Sequence, residues 1–401
     1  MSYKSAFFAI ALAALVPFLY ENYMRLSVIF NNAPGKLVHI NNLKYEIKFE
    51  DSVRDCEDAL LIESKGLAIL SCDPGRESYN TVMGIFLPGP IPSAEIFAYD
   101  YTDASAPDSK TLKKFEIQGY EPGADFHTLG IAFDEMTSTL FATNHRKDGP
   151  TVELFTLDLA AFTAKHFRTI RHPLLHGPNA LALINSRELL VTNDHYFLIE
   201  EHPALAEAET YLGLPLGTVV HVDITALLSD PTSAVQATVV AHLPYANGIA
   251  FLNSSILAVA STSKPAVYFY DVRKPEAGGA APTLAYKSLV RIPYFIDNLQ
   301  VARDGALYVA GHPHPPSLNK YSSTRPKCNA PDLASADAAV REECATTQAF
   351  SWVQRWTEEK GLEDLYVGAE FPTSCTAAFD SERKVGVVSG LYAKGVMVWR
   401  E

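Results

Sequence analysis

The chain has few cysteines, few basic residues for its acids, and no long apolar run, and each shortage removes a class of protein. Its five cysteines include no CxxC and no Cys/His ligand spacing, so a zinc site is discarded. Lys and Arg number 33 against 46 Asp and Glu, a net charge of −13. Phosphate affinity is carried mostly by Lys and Arg, so nucleic acid is not the expected partner. With 48% apolar and 20% charged residues, neither intrinsic disorder nor a polytopic membrane protein fits. What remains is a soluble globular chain of 401 residues, long enough for one large domain or two ordinary ones. Its acidity suits cation binding but is only a weak pointer by itself.

The apolar run that does exist, Ala6 to Tyr20, lies between Lys4 and the polar residues from Glu21 to Arg25. At 15 residues it is shorter than the roughly 20 of a comfortable membrane span, and Pro17 sits near its end. Residues 1–30 are therefore expected to form a secretory signal or anchor, with a buried N-terminal helix as the competing reading. The A-x-A spacings fall inside the run, so an uncleaved signal anchor is as well supported as a removed peptide. The expected location is the secretory pathway, extracellular or membrane-anchored facing the lumen or outside, with membrane or lipid association through this segment. Asn253-Ser254-Ser255 is an N-glycosylation sequon, which places a candidate glycan on Asn253. Cys328 and Cys344 bracket a polar, Pro- and Ala-rich stretch and form a candidate local disulfide, while Cys56, Cys72 and Cys375 are expected as buried thiols.

Past residue 40 the sequence reads as many short strands, such as Thr139 to Thr143, Leu189 to Thr192, Ile256 to Ala260 and Leu307 to Ala310. They are separated by turn formers such as Lys147-Asp148-Gly149 and Arg303-Asp304-Gly305. Helices are expected at Pro203 to Leu212 and within Ala334 to Lys360, the latter part of an insertion at about 318–360. A loose recurrence places Asn, His or Asp ahead of an apolar strand, at His127-Thr128, Pro178-Asn179, Ala246-Asn247 and Asp297-Asn298, about 50 to 70 residues apart. Propeller blades repeat at roughly 40 to 50 residues plus loops, so the 345 residues from Glu57 onward accommodate about six. The predicted fold is all-β, a six-bladed β-propeller over 40–401, with a pair of β-sandwiches as the alternative.

In a propeller the innermost strand of every blade begins near the central tunnel, so these first polar residues converge. Glu57, Asp58, Asn179, Asn247, Asp297 and Asn298 would then offer carboxylate and amide oxygens, a hard set suited to Ca²⁺, which takes six to eight such ligands. Each alone reads as an ordinary turn former; only the joint occurrence at blade spacing points to a metal.

The sequence resembles the paraoxonase/arylesterase family, calcium-dependent lactonases of six-bladed propeller fold, from about residue 40 to the C-terminus. The resemblance is carried by Glu57-Asp58 with Gly66-Leu67-Ala68, Phe126-His127, Thr143-Asn144-His145, Thr192-Asn193-Asp194-His195-Tyr196-Phe197, Glu209-Thr210-Tyr211-Leu212, Ala246-Asn247-Gly248-Ile249, Asp297-Asn298-Leu299 and Gly311-His312-Pro313, in the family's order. It implies a catalytic Ca²⁺ held by Glu57, Asn179, Asn247, Asp297 and Asn298. It also implies a second, structural ion at Asp58 and the carbonyl of Leu129, and a histidine dyad of His127 and His145 that activates water against the carbonyl of a small lactone or aryl ester. Asp194 and His195 would support the site from behind, and Tyr245, Phe295 and His312 would line the substrate pocket, favouring an aryl or medium-chain acyl group. Core packing is the competing role for the two aromatics.

Two departures qualify the resemblance. Where the family has Asp after the first Asn ligand this chain has Ala180, which weakens the second ion site, and Gly395 to Glu401 lacks the C-terminal cysteine that pins the family's ring. Closure then rests on strand pairing, or on Cys375 reaching Cys56 or Cys72. The competing functions are a strictosidine-synthase-like propeller enzyme without metal and a non-catalytic, calcium-stabilised propeller that binds a partner.

Overall fold

Short runs of β-branched and aromatic residues between turn formers pair as antiparallel sheets, each formed by successive strands of the chain. The structure is a computed structural model and describes residues 3–120, 125–273 and 281–401. Six blades follow in order at 54–114, 131–170, 178–243, 246–291, 295–368 and 374–400. Their innermost strands are Arg54–Ile62, Ile131–Asp134, Pro178–Asn185, Ala246–Asn253, Phe295–Val301 and Ser374–Asp380. Each touches the innermost strand of the next blade, and the sixth touches the first, so the six close into a ring. The fold is the expected six-bladed β-propeller.

Closure is made by hydrogen bonds. The N-terminal strand Tyr45–Lys48 adds to the C-terminal strand Val396–Arg400 as the outer edge of blade 6, pairing Tyr45 with Trp399 through Lys48 with Val396. Blade 6 also pairs directly with blade 1, Gly390 opposite Cys56 and Lys394 opposite Arg54. The cysteines correct one expectation. Cys56 and Cys72 are not thiols but a disulfide between the first two strands of blade 1, and Cys375 is the buried free thiol, so no disulfide joins the ends of the ring. The Cys328–Cys344 disulfide is present and ties helix Pro315–Cys328 to helix Ala338–Thr346.

Those two helices lie between the second and third strands of blade 5. The inserted segment ends sooner than the sequence suggests, because Ser351–Thr357 is the third strand, held by Trp352 stacked on Tyr294 at 5.2 Å and Trp356 against Phe269 at 4.9 Å. Helix Pro203–Leu212 occurs as expected, between the second and third strands of blade 3. A helix spans Tyr3–Asn31, and its C-terminal end docks on the ring, with Asn32 Nδ2 donating to the carbonyls of Pro293 and Pro313 and Glu21 paired with Arg291 at 2.6 Å. Val16, Leu19, Tyr23 and Phe30 on this helix are exposed. Among the described residues no helix is long and apolar enough to cross a membrane.

The core sits between blades. Its heaviest junction, at blades 5 and 6, stacks Trp399 on Phe379 at 5.7 Å and Phe379 on Tyr308 at 5.3 Å. Gly386, paired opposite Trp399, leaves room for this indole, since a Cβ there would stand 2.0 Å from its Cζ2. Gly386→Ala is expected to cost about 1–3 kcal/mol by overpacking, read as a lower denaturant midpoint at unchanged slope.

Candidate functional site

Strand pairing breaks register at the start of the innermost strand in five blades, between Cys56 and Asp58, Pro178 and Leu181, Ala246 and Ile249, Ile296 and Leu299, and Ser374 and Thr376. Such a break frees a residue from the ladder and re-aims its side chain. The residues inside the breaks are Glu57, Asn179 with Ala180, Asn247 with Gly248, Asp297 with Asn298, and Cys375. In blade 3 a threonine on the second strand replaces a missing ladder bond. The Thr192 hydroxyl accepts from Ala180 N at 3.0 Å; in blade 2, where the innermost ladder is unbroken, that of Thr143 accepts from Leu129 N, just ahead of the inner strand, at 3.1 Å. Neighbouring inner strands come so close that a Cβ on Gly248 would stand 2.6 Å from Asn298 Cα.

Glu57, Asn179, Asn247 and Asp297 line one cavity of about 410 Å³ at the end of the tunnel, and all four are buried. Every one is oriented by a neighbour. Asn298 Nδ2 donates to Glu57 Oε1 at 2.8 Å, and His312 Nε2 meets Asp297 Oδ2 at 3.0 Å. The Asn179 amide donates to Asp194 at 3.3 Å, and that of Asn247 donates to Thr262 at 3.1 Å, whose hydroxyl is itself fixed on the Ile296 carbonyl at 2.7 Å. These bonds use the donors and leave three buried acceptors without a partner, Glu57 Oε2, Asn179 Oδ1 and Asn247 Oδ1. An unmet buried acceptor costs about 1–3 kcal/mol. Burial, then the charges of Asp297 and Asp58, push the Glu57 carboxyl well above its ordinary range. Bare oxygens beside crowded carboxylates fit a hard divalent cation.

Asp58 differs. Its carboxylate already accepts from Ala59 N, Ile131 N and the Thr376 hydroxyl at 2.8 to 2.9 Å, and the Leu129 carbonyl faces the Ser71 and Thr128 hydroxyls at 3.3 Å. No bare oxygen stands at these two residues, and Ala180 adds none.

The histidines fall into two groups. His127 points Nδ1 at both oxygens of Asp73, 3.2 and 3.3 Å away, and packs on the Tyr79 ring at 4.9 Å. His145 is tied at both nitrogens. Nε2 must donate to the Pro178 carbonyl at 2.7 Å, so Nδ1 accepts from the Thr81 hydroxyl at 2.6 Å, and burial lowers its pKa. The two are joined by a bond from His145 N to His127 O at 2.8 Å, but neither lines the cavity. His195 and His312 do line it. His195 is held between Asp194 at 3.1 Å and Thr210 at 2.6 Å; burial opposes its charge, but the bond to Asp194 and that residue's charge outweigh burial and raise its pKa. His312 keeps a buried Nδ1 without a partner.

Tyr245 and Phe295 both line the cavity, Tyr245 edge-on to His195 at 4.3 Å and held at φ 50°, an unusual backbone state for a bulky residue. Asn253 lies elsewhere, exposed at the end of the first strand of blade 4, with its Oδ1 capping Ser255 N and Ile256 N in the turn that follows. Four residues at the site escaped the sequence reading: Thr262, Asp73, Thr81 and Cys375. Cys375, Asp297 and His312 place possible donor atoms within 4.8 Å of one another. Thr262 carried a signal, because it follows the second strand of blade 4 as Asp194 follows that of blade 3, and each holds the asparagine amide of its own blade.

The arylesterase family model matches residues 81–345. Human serum paraoxonase/arylesterase 1 is 26% identical over 334 residues, covering 82% of this chain and 83% of that protein. The mouse protein of the same name is 27% identical, covering 79% and 83%. Among solved structures, the β-propeller domain of Cps50 (Swd1) from Myceliophteria thermophila aligns at a TM-score of 0.46 and 10% identity, over 89% of this chain and 99% of that one. The family match spans well over half of the sequence and takes in the site residues from His127 to His312, and the chain belongs to the arylesterase family.

Proposed function

We propose that this arylesterase-family enzyme is a calcium-dependent hydrolase of lactones and aryl esters, with the cavity at the tunnel end as its active site. The observation that carries the proposal is the convergence of three bare buried oxygens, on Glu57, Asn179 and Asn247, into one cavity. Glu57, Asn179, Asn247, Asp297 and Asn298 would hold one Ca²⁺. When bound, the ion supplies a Lewis acid beside the substrate carbonyl. The second site of the family is not supported, because Asp58 and Leu129 are already hydrogen-bonded and Ala180 is apolar.

The chain's own residues do the rest. Tyr245 and Phe295 pack an aryl or acyl group, and Asp194 and Thr262 hold the two amide nitrogens, which leaves the amide oxygens of these cavity-lining residues without a protein partner. His127, oriented by Asp73, is the proposed acceptor of the water proton, and His145, with both nitrogens engaged, positions it instead of sharing the proton. One observation favours a second assignment: His312 lines the cavity with Nδ1 free and Nε2 on Asp297, whereas His127 does not line it.

For compartment, two disulfides and the exposed Asn253 sequon support an oxidising, extracytoplasmic location and glycosylation of Asn253. Residues 1–30 are proposed as a targeting or anchoring segment associated with lipid, over a propeller domain of 40–401. The docked C-terminal half of the helix favours the uncleaved form.

Chelating calcium, or Asn247→Ala, should reduce hydrolysis of phenyl acetate and a lactone panel at least ~100-fold; turnover untouched by either would remove the metal from the mechanism. Thr262→Val should weaken calcium about 10- to 100-fold by calorimetry, since it frees the Asn247 amide to rotate. His127→Gln and His312→Gln separate the two base assignments. The true base should lose ~100- to 10,000-fold in kcat and the acidic limb of the pH–rate profile, and the other should keep both.

A further inference from the structure

One wall of the cavity carries a charge that nothing in the proposed mechanism uses. Arg25, on the helix Tyr3–Asn31, lines the cavity together with Ile29 and is only 5% exposed. Its guanidinium bonds to the Asn22 side-chain oxygen and reaches the Ser263 carbonyl at 3.5 Å, the limit of a hydrogen bond. Among the described residues no carboxylate forms an ion pair with it. Glu21, one turn earlier, is committed to Arg291, and Asp194 on the cavity wall is committed to His195. Glu207 also lines the cavity but makes no ion pair with Arg25. Burial alone lowers the Arg25 pKa, with no acidic neighbour raising it. Arg76, the other deeply buried arginine near the site, has Asp73 and Glu57 close enough to raise its pKa against burial.

A buried guanidinium without a counter-charge is costly, and it stays charged at any physiological pH. The cost is relieved when an anion arrives. The planar fork matches a carboxylate in two parallel hydrogen bonds, which are among the stronger contacts available to a small ligand. The same cavity wall includes Val82, Met83, Phe197 and Phe295, so one cavity combines an apolar lining, a cation and the proposed reaction site. A cavity of about 410 Å³ accommodates a small molecule of that description.

We propose that Arg25 is a specificity-determining residue, selecting esters and lactones whose acyl chain ends in a carboxylate. The proposal rests on the hydrolase reading for its chemistry but not for its binding. In the reaction, water splits the acyl C–O bond, its hydroxyl going to the acyl carbon and its proton to the departing oxygen, while the distal carboxylate remains on Arg25 unchanged.

The test compares 4-nitrophenyl hemiadipate, hemiglutarate and hemisuccinate with the neutral 4-nitrophenyl hexanoate, pentanoate and butyrate on the full chain. The native enzyme should prefer the anionic ester at the length that spans the cavity, and Arg25→Gln should raise its KM about 10- to 100-fold with kcat nearly unchanged. The neutral esters serve as the folding control and should change less than about twofold, and Arg25→Lys should recover part of the lost affinity. Equal losses on charged and neutral esters, or no loss on any charged ester, would overturn the assignment. If no ester is turned over, the hydrolase reading fails separately, and binding decides the role of Arg25. Calorimetric titration with hexanoate and its neutral isostere hexanamide should then show a tenfold loss for hexanoate alone in Arg25→Gln; an unchanged hexanoate affinity would overturn the proposal.

Discussion

Glu57, Asp58 and Asp297 are all buried close to the axis of one ring, and the molecule is built around that crowding. Like charges in a low-dielectric interior repel strongly, and each must be answered by donors, by a proton or by a cation. The protein answers the three differently. Asp58 takes two backbone amides and the hydroxyl of Thr376, and Asp297 takes His312. Glu57 receives one bond, from Asn298, and keeps its second oxygen bare. The imbalance separates a carboxylate whose hydrogen bonds are met from one with an oxygen to spare, a distinction that the adjacent Glu57-Asp58 pair does not display in sequence.

The register breaks are the backbone's share in this arrangement. A regular strand would alternate its side chains between the two faces of the blade and aim none down the tunnel. By dropping one or two residues out of the ladder at the same place in five blades, the chain turns those side chains inward while the remaining strand still packs the core. Thr192 keeps the freed amide of Ala180 satisfied, so that break does not leave a buried donor orphaned beside an already crowded set of charges.

Much of this was legible in the sequence because turn-forming residues ahead of apolar strands recur at blade spacing. Asn179, Asn247 and Asp297 could be matched to each other before any contact was known. Cys375 occupies the corresponding break of blade 6 and went unrecognised as a tunnel residue, since a thiol shares neither the oxygen chemistry nor the turn propensity that exposed the others. The Cys56–Cys72 disulfide was missed for another reason: the two cysteines meet only because the first two strands of blade 1 pair in one register, which spacing alone does not specify. In sequence Ser351–Thr357 reads as part of the insertion, because its burial shows no clean alternation, with Trp352 and Trp356 half-buried against Tyr294 and Phe269. Asp73 and Thr81 act on histidines 54 and 64 residues away and have no local signature.

The N-terminal chain shows how closure and site are linked. The strand Tyr45–Lys48 completes blade 6, which fixes the start of the ring to its end, and the helix before it is thereby tethered on the face where Asn32 meets the loops at Pro293 and Pro313. These loops flank the inner strand that carries Asp297 and the second strand that ends at His312. A helix held this way can place Ile29 and Arg25 in the cavity wall without a large hydrophobic interface of its own, which accounts for the exposure of Tyr23, Leu26 and Phe30 beside them. Since each apolar residue on that outer face could be buried against lipid or a partner without moving Arg25, the association of the helix and the shape of the cavity are separable properties of one element.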